Sequence, residues 1–107
     1  MSVIVREWRG RAALGHEQAY PKHFRDKVLP ELRGIDGFLG ARLLRRKLPD
    51  AIEFVVLTRW SSLHAIKAFA GDDMDQAVVE PGAVAALKDY DHEVRHYEML
   101  HETSVDA

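Results

Sequence analysis

The sequence predicts a single α+β domain: a four-stranded antiparallel sheet with its helices packed on one face. Three observations predict it. Tyr20, Phe24, Val28, Leu32 and Ile35 recur at spacings of four and three, which is one face of a helix. Two runs rich in β-branched, aromatic and leucine residues, 38–48 and 51–60, are separated only by the turn signal Pro49-Asp50. The second run ends in Trp60-Ser61-Ser62, where serine offers a helix N-cap directly after a strand.

The elements follow in order. Residues 3–11 read as the first strand, with Val3, Val5 and Glu7 on one side and Ile4, Arg6 and Trp8 on the other. Gly15 ends the connection, and the first helix covers 16–33. Pro21 and Pro30 lack the N–H of a helical ladder, so a kink or late start is expected at the first and a break at the second. Gly34 and Gly37 stop the helix. Strands 38–48 and 51–60 then form an antiparallel hairpin. A second helix spans about 62–70, with Leu63, Ile66 and Ala70 inward, Phe69 at the margin and Gly71 closing it. Residues 72–80 are acidic and irregular. Pro81-Gly82 begins a short helical piece reaching about Lys88, and a fourth strand covers 90–100. The order β-α-β-β-α-β is that of a ferredoxin-like sheet. The domain occupies 1–102, and 103–107 form a polar tail.

A chain of 107 residues fits one domain. With 47% hydrophobic and 30% charged residues it is of ordinary globular composition. A net charge of −2 gives no electrostatic case for nucleic acid. The absence of cysteine excludes disulfides, thiol nucleophiles and thiolate metal sites. No apolar run approaches the ~20 residues of a membrane span. The N-terminus meets charge at Arg6 and Glu7 and has no signal-peptide apolar region, so a cytoplasmic location is expected.

The third strand is apolar on both sides, with Ile52, Phe54 and Val56 on one and Val55 and Leu57 on the other. A strand buried on both faces needs two covers. Helices supply one, and a short chain has nothing left for the second. A homodimer joined sheet to sheet is therefore expected.

Several segments resemble the antibiotic biosynthesis monooxygenase family of the dimeric α+β barrel superfamily. They are Trp8-Arg9-Gly10-Arg11, Gly37-Phe38-Leu39-Gly40, Leu57-Thr58-Arg59-Trp60-Ser61-Ser62, Ala65 through Asp73, and His96-Tyr97-Glu98. The resemblance runs from about Val3 to Leu100. It implies a dimeric barrel with a site between helices and sheet in each subunit. It also implies one of two activities: cofactor-independent oxygenation of a phenolic polycycle to a quinone, or oxidative breakdown of haem held by a histidine. Of the residues such sites use, Trp60 carries over. Phe69 stands about where the haem degraders have a tryptophan, Val79 about where they have the iron-binding histidine, and the chain contains no asparagine. The quinone-forming members have an asparagine and a tyrosine where Val56 and Ile66 stand here.

His96 is the expected catalytic base, since a neutral imidazole near pH 7 can take a proton from a phenol. Glu98, two residues on, shares its strand face and is expected to orient the ring. Trp8, Trp60 and Phe69 are expected to wall an aromatic pocket, with Arg6, and Arg9 beside it, holding substrate charge. His92 and His96 lie ~13 Å apart along a strand, too far to share a metal. His64 falls off the inward stripe, and His16 and His23 are seven apart with no carboxylate-histidine pattern, so no metal site is expected. The run Arg42, Arg45, Arg46, Lys47 reads as a solvated hairpin end or a subunit rim. The function expected is a small monooxygenase-like protein acting without a cofactor on an aromatic or conjugated molecule. The alternative is a non-catalytic dimer that binds a hydrophobic ligand, a haem-like one included, and a third reading is a dimer module whose interior is filled.

Overall fold

The structure, a computed structural model, describes residues 2–105. Met1 and the last two residues of the expected tail, 106 and 107, lie outside the described residues. Strand β1 covers Ile4–Ala12. A continuous helical segment follows, made of α1 (Ala19–His23), a π-helical stretch (Phe24–Val28) and α2 (Leu29–Arg33). Strands β2 (Phe38–Lys47) and β3 (Ile52–Trp60) form the hairpin, and α3 (Leu63–Ala70), α4 (Pro81–Ala86), β4 (Asp89–Tyr90) and β5 (Arg95–Glu98) complete the chain. In the sheet β3 lies between β2 and β1, and both β4 and β5 pair antiparallel with the far side of β1. This is the expected ferredoxin-like α+β fold.

Strand phase follows the alternation of the sequence. Arg6, Gly10 and Ala12 of β1 and Ile52, Phe54, Val56, Thr58 and Trp60 of β3 are buried on the helix side. Two apolar clusters form there. Phe54, Ile52 and Val56 pack with Tyr20, Phe24 and Ala83, while Trp60 packs with Leu32, Ala65 and Ile66.

Three local expectations are corrected. The fourth strand is split, because residues 92–94 turn away from β1 towards residues 75–77. The Ala77 N–H donates to the His92 carbonyl and the Val94 N–H to the Asp75 carbonyl, both at 2.8 Å. The helix passes through Pro30 instead of breaking. Just before it, the Leu29 N–H reaches back five residues to the Phe24 carbonyl. That wide turn gives up the regular ladder where the proline ring and missing N–H would have disrupted it. On α3 Ala65, Ile66, Phe69 and Ala70 pack inward, whereas Leu63, expected on that stripe, is 48% exposed. Ser62 caps the helix by accepting from the Ala65 N–H at 3.1 Å, as expected. Gly37, at φ +92°, lets Ala65 approach so closely that a Cβ on it would lie 2.5 Å from that of Ala65.

Among the described residues no helix covers the other sheet face. Val5, Leu44, Val55, Leu57 and Tyr97 lie on it, by register. Glu53 is buried there beneath Arg46 (2.8 Å), Arg9 (3.4 Å) and Arg11 (3.6 Å). The basic hairpin residues are thereby partly explained: Arg46 covers a carboxylate, and Arg42, Arg45 and Lys47 are exposed.

Candidate functional site: a cleft between helices and sheet

A narrow cavity of about 60 Å³ lies between the helices and the sheet, touching residues of both apolar clusters. Trp8, Val28, Leu32, Val56 and Phe69 give it apolar walls, joined by Val78 and Val79 of the irregular segment before α4 and by Ala83 of α4. Its polar groups are Arg6, Thr58, Tyr20, His23 and Glu80.

Arg6 is the unusual member. It is only 5% exposed, yet among the described residues no carboxylate comes within ion-pair distance of it. Instead its guanidinium donates to the carbonyls of Met74 (2.6 Å) and Gln76 (2.9 Å) and lies 5.8 Å from the centre of the Phe69 ring. Burial pushes its pKa down to about 10, against the opposing pull of Asp75. A buried cation held by carbonyl dipoles and an aromatic face keeps an attraction for an anion.

His96 pairs across the sheet with Arg6, so both point to the helix side. Its Nε2 lies 2.8 Å from the Arg6 guanidinium. Arginine only donates, so Nε2 accepts, and the ring proton belongs on Nδ1, which faces the Asp75 carboxylate at 3.6 Å. The ring is therefore oriented by Asp75 and not by Glu98. His96 is not part of the cavity wall and stands behind Arg6. Trp60 is also outside the wall. It is fully buried, stacks on Phe69 at 5.6 Å and donates from Nε1 to Thr58 at 2.8 Å. Of the five expected site residues, Arg6, Trp8 and Phe69 line the cavity, and His96 and Trp60 support two of them.

Burial, and next the Arg6 charge, hold the His96 pKa below the usual histidine value, with Asp75 opposing. The folded state therefore prefers the neutral ring. Its contribution to stability is complete above the unfolded value near 6.5 and is lost as pH falls through the lowered folded value. Denaturant midpoints should fall between pH 7 and 5, and fall less in His96→Gln. Parallel curves for the two proteins would refute this.

Sequence reasoning missed Tyr20, His23 and Glu80. Tyr20 belongs to the core stripe of the first helix and packs 5.6 Å from Trp8 and 5.4 Å from Phe54. Burial, and then Glu80, push its phenol pKa up. The Glu80 pKa is raised by burial and by the neighbouring Glu31 carboxyl, against His23 and Lys27. A signal for His23 existed, since it stands three residues after Tyr20, within one helical turn. Among the described residues no group of three or more ligating side chains is poised for a metal, and no helix is long and apolar enough to cross a membrane.

No curated protein matches the chain in sequence. Among solved structures, it is similar to a Bacillus cereus protein named for the antibiotic biosynthesis monooxygenases, at TM-score 0.67 and 16% identity, covering 98% of this chain and 100% of that one. It is similar to SnoaB, a cofactor-independent oxygenase from Streptomyces nogalater, at TM-score 0.60 and 15% identity over all of both chains. It is also similar to the haem degrader MhuD of Mycobacterium tuberculosis, which holds two haems in its active site, at TM-score 0.63 and 19% identity, covering 94% of this chain and 99% of that one. These likenesses speak to the fold. The sequence model of antibiotic biosynthesis monooxygenases matches residues 1–81, about three quarters of the chain, and the protein belongs to that family.

Proposed function

We propose that the protein is a small oxygenase that needs no cofactor and acts on an aromatic or conjugated small molecule bound in the cleft. One observation carries this reading: a buried, carboxylate-free guanidinium, Arg6, set in a wall of Trp8 and Phe69. Such a site favours a flat molecule that gains negative charge, as a phenol does when it loses its proton before meeting oxygen. His96 and Trp60 take supporting roles, one holding Arg6 and the other backing Phe69. The same reading makes the protein a cytoplasmic homodimer, with the helix-free sheet face as its seam.

The cleft must widen to work. At about 60 Å³ it is smaller than the ~150 Å³ cavity that accepts a benzene ring. The segment to move is 74–80, which roofs the cleft and is tied down through Arg6. Where the haem degraders carry the iron-binding histidine, Val79 brings only hydrocarbon to the wall, which favours the cofactor-free reading.

The test is oxygen uptake with a panel of phenolic polycycles, anthrone and 1-naphthol included, without added metal or flavin. Uptake with appearance of quinone absorbance is expected. Ligands that quench Trp8 fluorescence but draw no oxygen would reject catalysis and favour the alternative, a non-catalytic dimer that binds hydrophobic molecules.

A further inference from the structure

The expected base, His96, has its Nε2 lone pair occupied by Arg6. The Tyr20 phenol is held protonated by burial. His23, in contrast, belongs to the cavity wall, and its Nε2 is buried with no hydrogen-bond partner. An unpaired buried imidazole nitrogen is costly unless something completes it. Its seat is built. A Cβ on Gly82 would come within 2.6 Å of His23 Nδ1 and 2.7 Å of Cε1, so the bare glycine at the start of α4 lets the ring lie against that helix. Tyr20 flanks the ring at 6.1 Å.

We propose that His23 is the acid–base residue of the cleft, accepting at Nε2 the proton of an acidic hydroxyl on an aromatic ligand whose anion Arg6 stabilises. This rests on the reading that the cleft binds such a ligand. In the step the ligand O–H bond breaks and an N–H bond forms on the imidazole. The oxygen keeps the electron pair, and no oxidant is involved. Each pole has a separate task. Arg6 is a fixed cation that cannot take a proton, whereas an imidazole exchanges protons near neutral pH. Glu80 lies beside His23 and interacts with its charge, and the Glu31 carboxyl adjoins Glu80. The histidinium formed would therefore face the Glu80 carboxyl, whose negative charge would favour it. The ligand class is an ionisable hydroxyarene small enough to span the wall from Arg6 past Trp8 and Tyr20 to His23.

The test uses 4-nitrophenol, whose anion is coloured, with the full-length protein. Wild type, His23→Gln, His23→Ala and Gly82→Ala are titrated with the probe across pH, while histidine nitrogen shifts are followed by NMR. In wild type the bound probe should ionise at lower pH than free probe, and the His23 ring should become imidazolium as it does. In His23→Gln the probe should still bind, because Arg6 and the aromatic walls remain, but its ionisation should move at least one pH unit back towards the free value. Gly82→Ala should show a partial change of the same sign. Unaltered ionisation in His23→Gln, or a His23 ring that stays neutral while bound probe ionises, would overturn the assignment and leave the binding reading intact. Failure of wild type to bind the probe at millimolar concentration would overturn both.

Discussion

Val55→Asp should turn the proposed homodimer into a monomer that keeps its secondary structure. Val55 lies opposite Arg9 on β1 and Leu44 on β2, on the face that no helix covers. Its neighbours across that face, Leu57, Leu44 and Tyr97, form the apolar part of the proposed seam. A carboxylate placed there is solvated in a monomer but stranded in a dimer, at a cost of about 3–5 kcal/mol. Dissociation constants should rise roughly 100- to 5,000-fold. Light scattering over a concentration series measures this directly. The adjacent residue supplies the contrast. Phe54 is fully buried on the helix side, so Phe54→Asp should abolish folding, which circular dichroism would report. A wild type that is monomeric at micromolar concentration, or a Val55→Asp dimer of unchanged affinity, would remove the sheet-to-sheet assembly.

Trp60→Ala should cost about 3–5 kcal/mol, the usual range for emptying a buried aromatic site. Trp60 has no exposed surface and sits among Leu32, Ala65, Ile66, Phe38 and Phe69. Its indole N–H satisfies Thr58, which in turn bonds the Arg6 carbonyl at 3.5 Å. The melting temperature should fall on the order of 15–25 °C. Samples must be matched in concentration, because the proposed dimerisation would make the melting temperature depend on it. Trp60→Phe, which keeps ring packing against Phe69 but loses the donor to Thr58, should lose much less. Equal losses in the two variants would show that the hydrogen bond, and not packing, dominates this position.

Much of this architecture was legible because it is written locally. Alternation along 52–60 gave the two faces of β3, and Ser62 gave the start of α3, since both depend on residues a few positions apart. The split of the last strand was not legible. Residues 92–94 read as strand by composition, and only the distant segment 75–77 competes for their carbonyls and N–H groups. The surroundings of His96 were not legible for a related reason. The register that sets it beside Arg6 is a property of two strands ninety residues apart in sequence. His23 escaped because its environment is made by Gly82, on an element whose position against α1 no spacing rule supplies.

The split strand has a consequence for solubility. A long uninterrupted sheet edge is a template on which other chains can add strands. Here the β4–β5 edge offers a two-residue and a four-residue stretch, with the backbone between them engaged elsewhere. The opposite edge, β2, runs for ten residues and carries exposed Arg42, Arg45, Arg46 and Lys47. One border of the sheet is guarded by discontinuity and the other by like charge. Neutralising the arginines of β2, rather than any change on the β5 side, is where fibril-like strand addition would first gain a foothold.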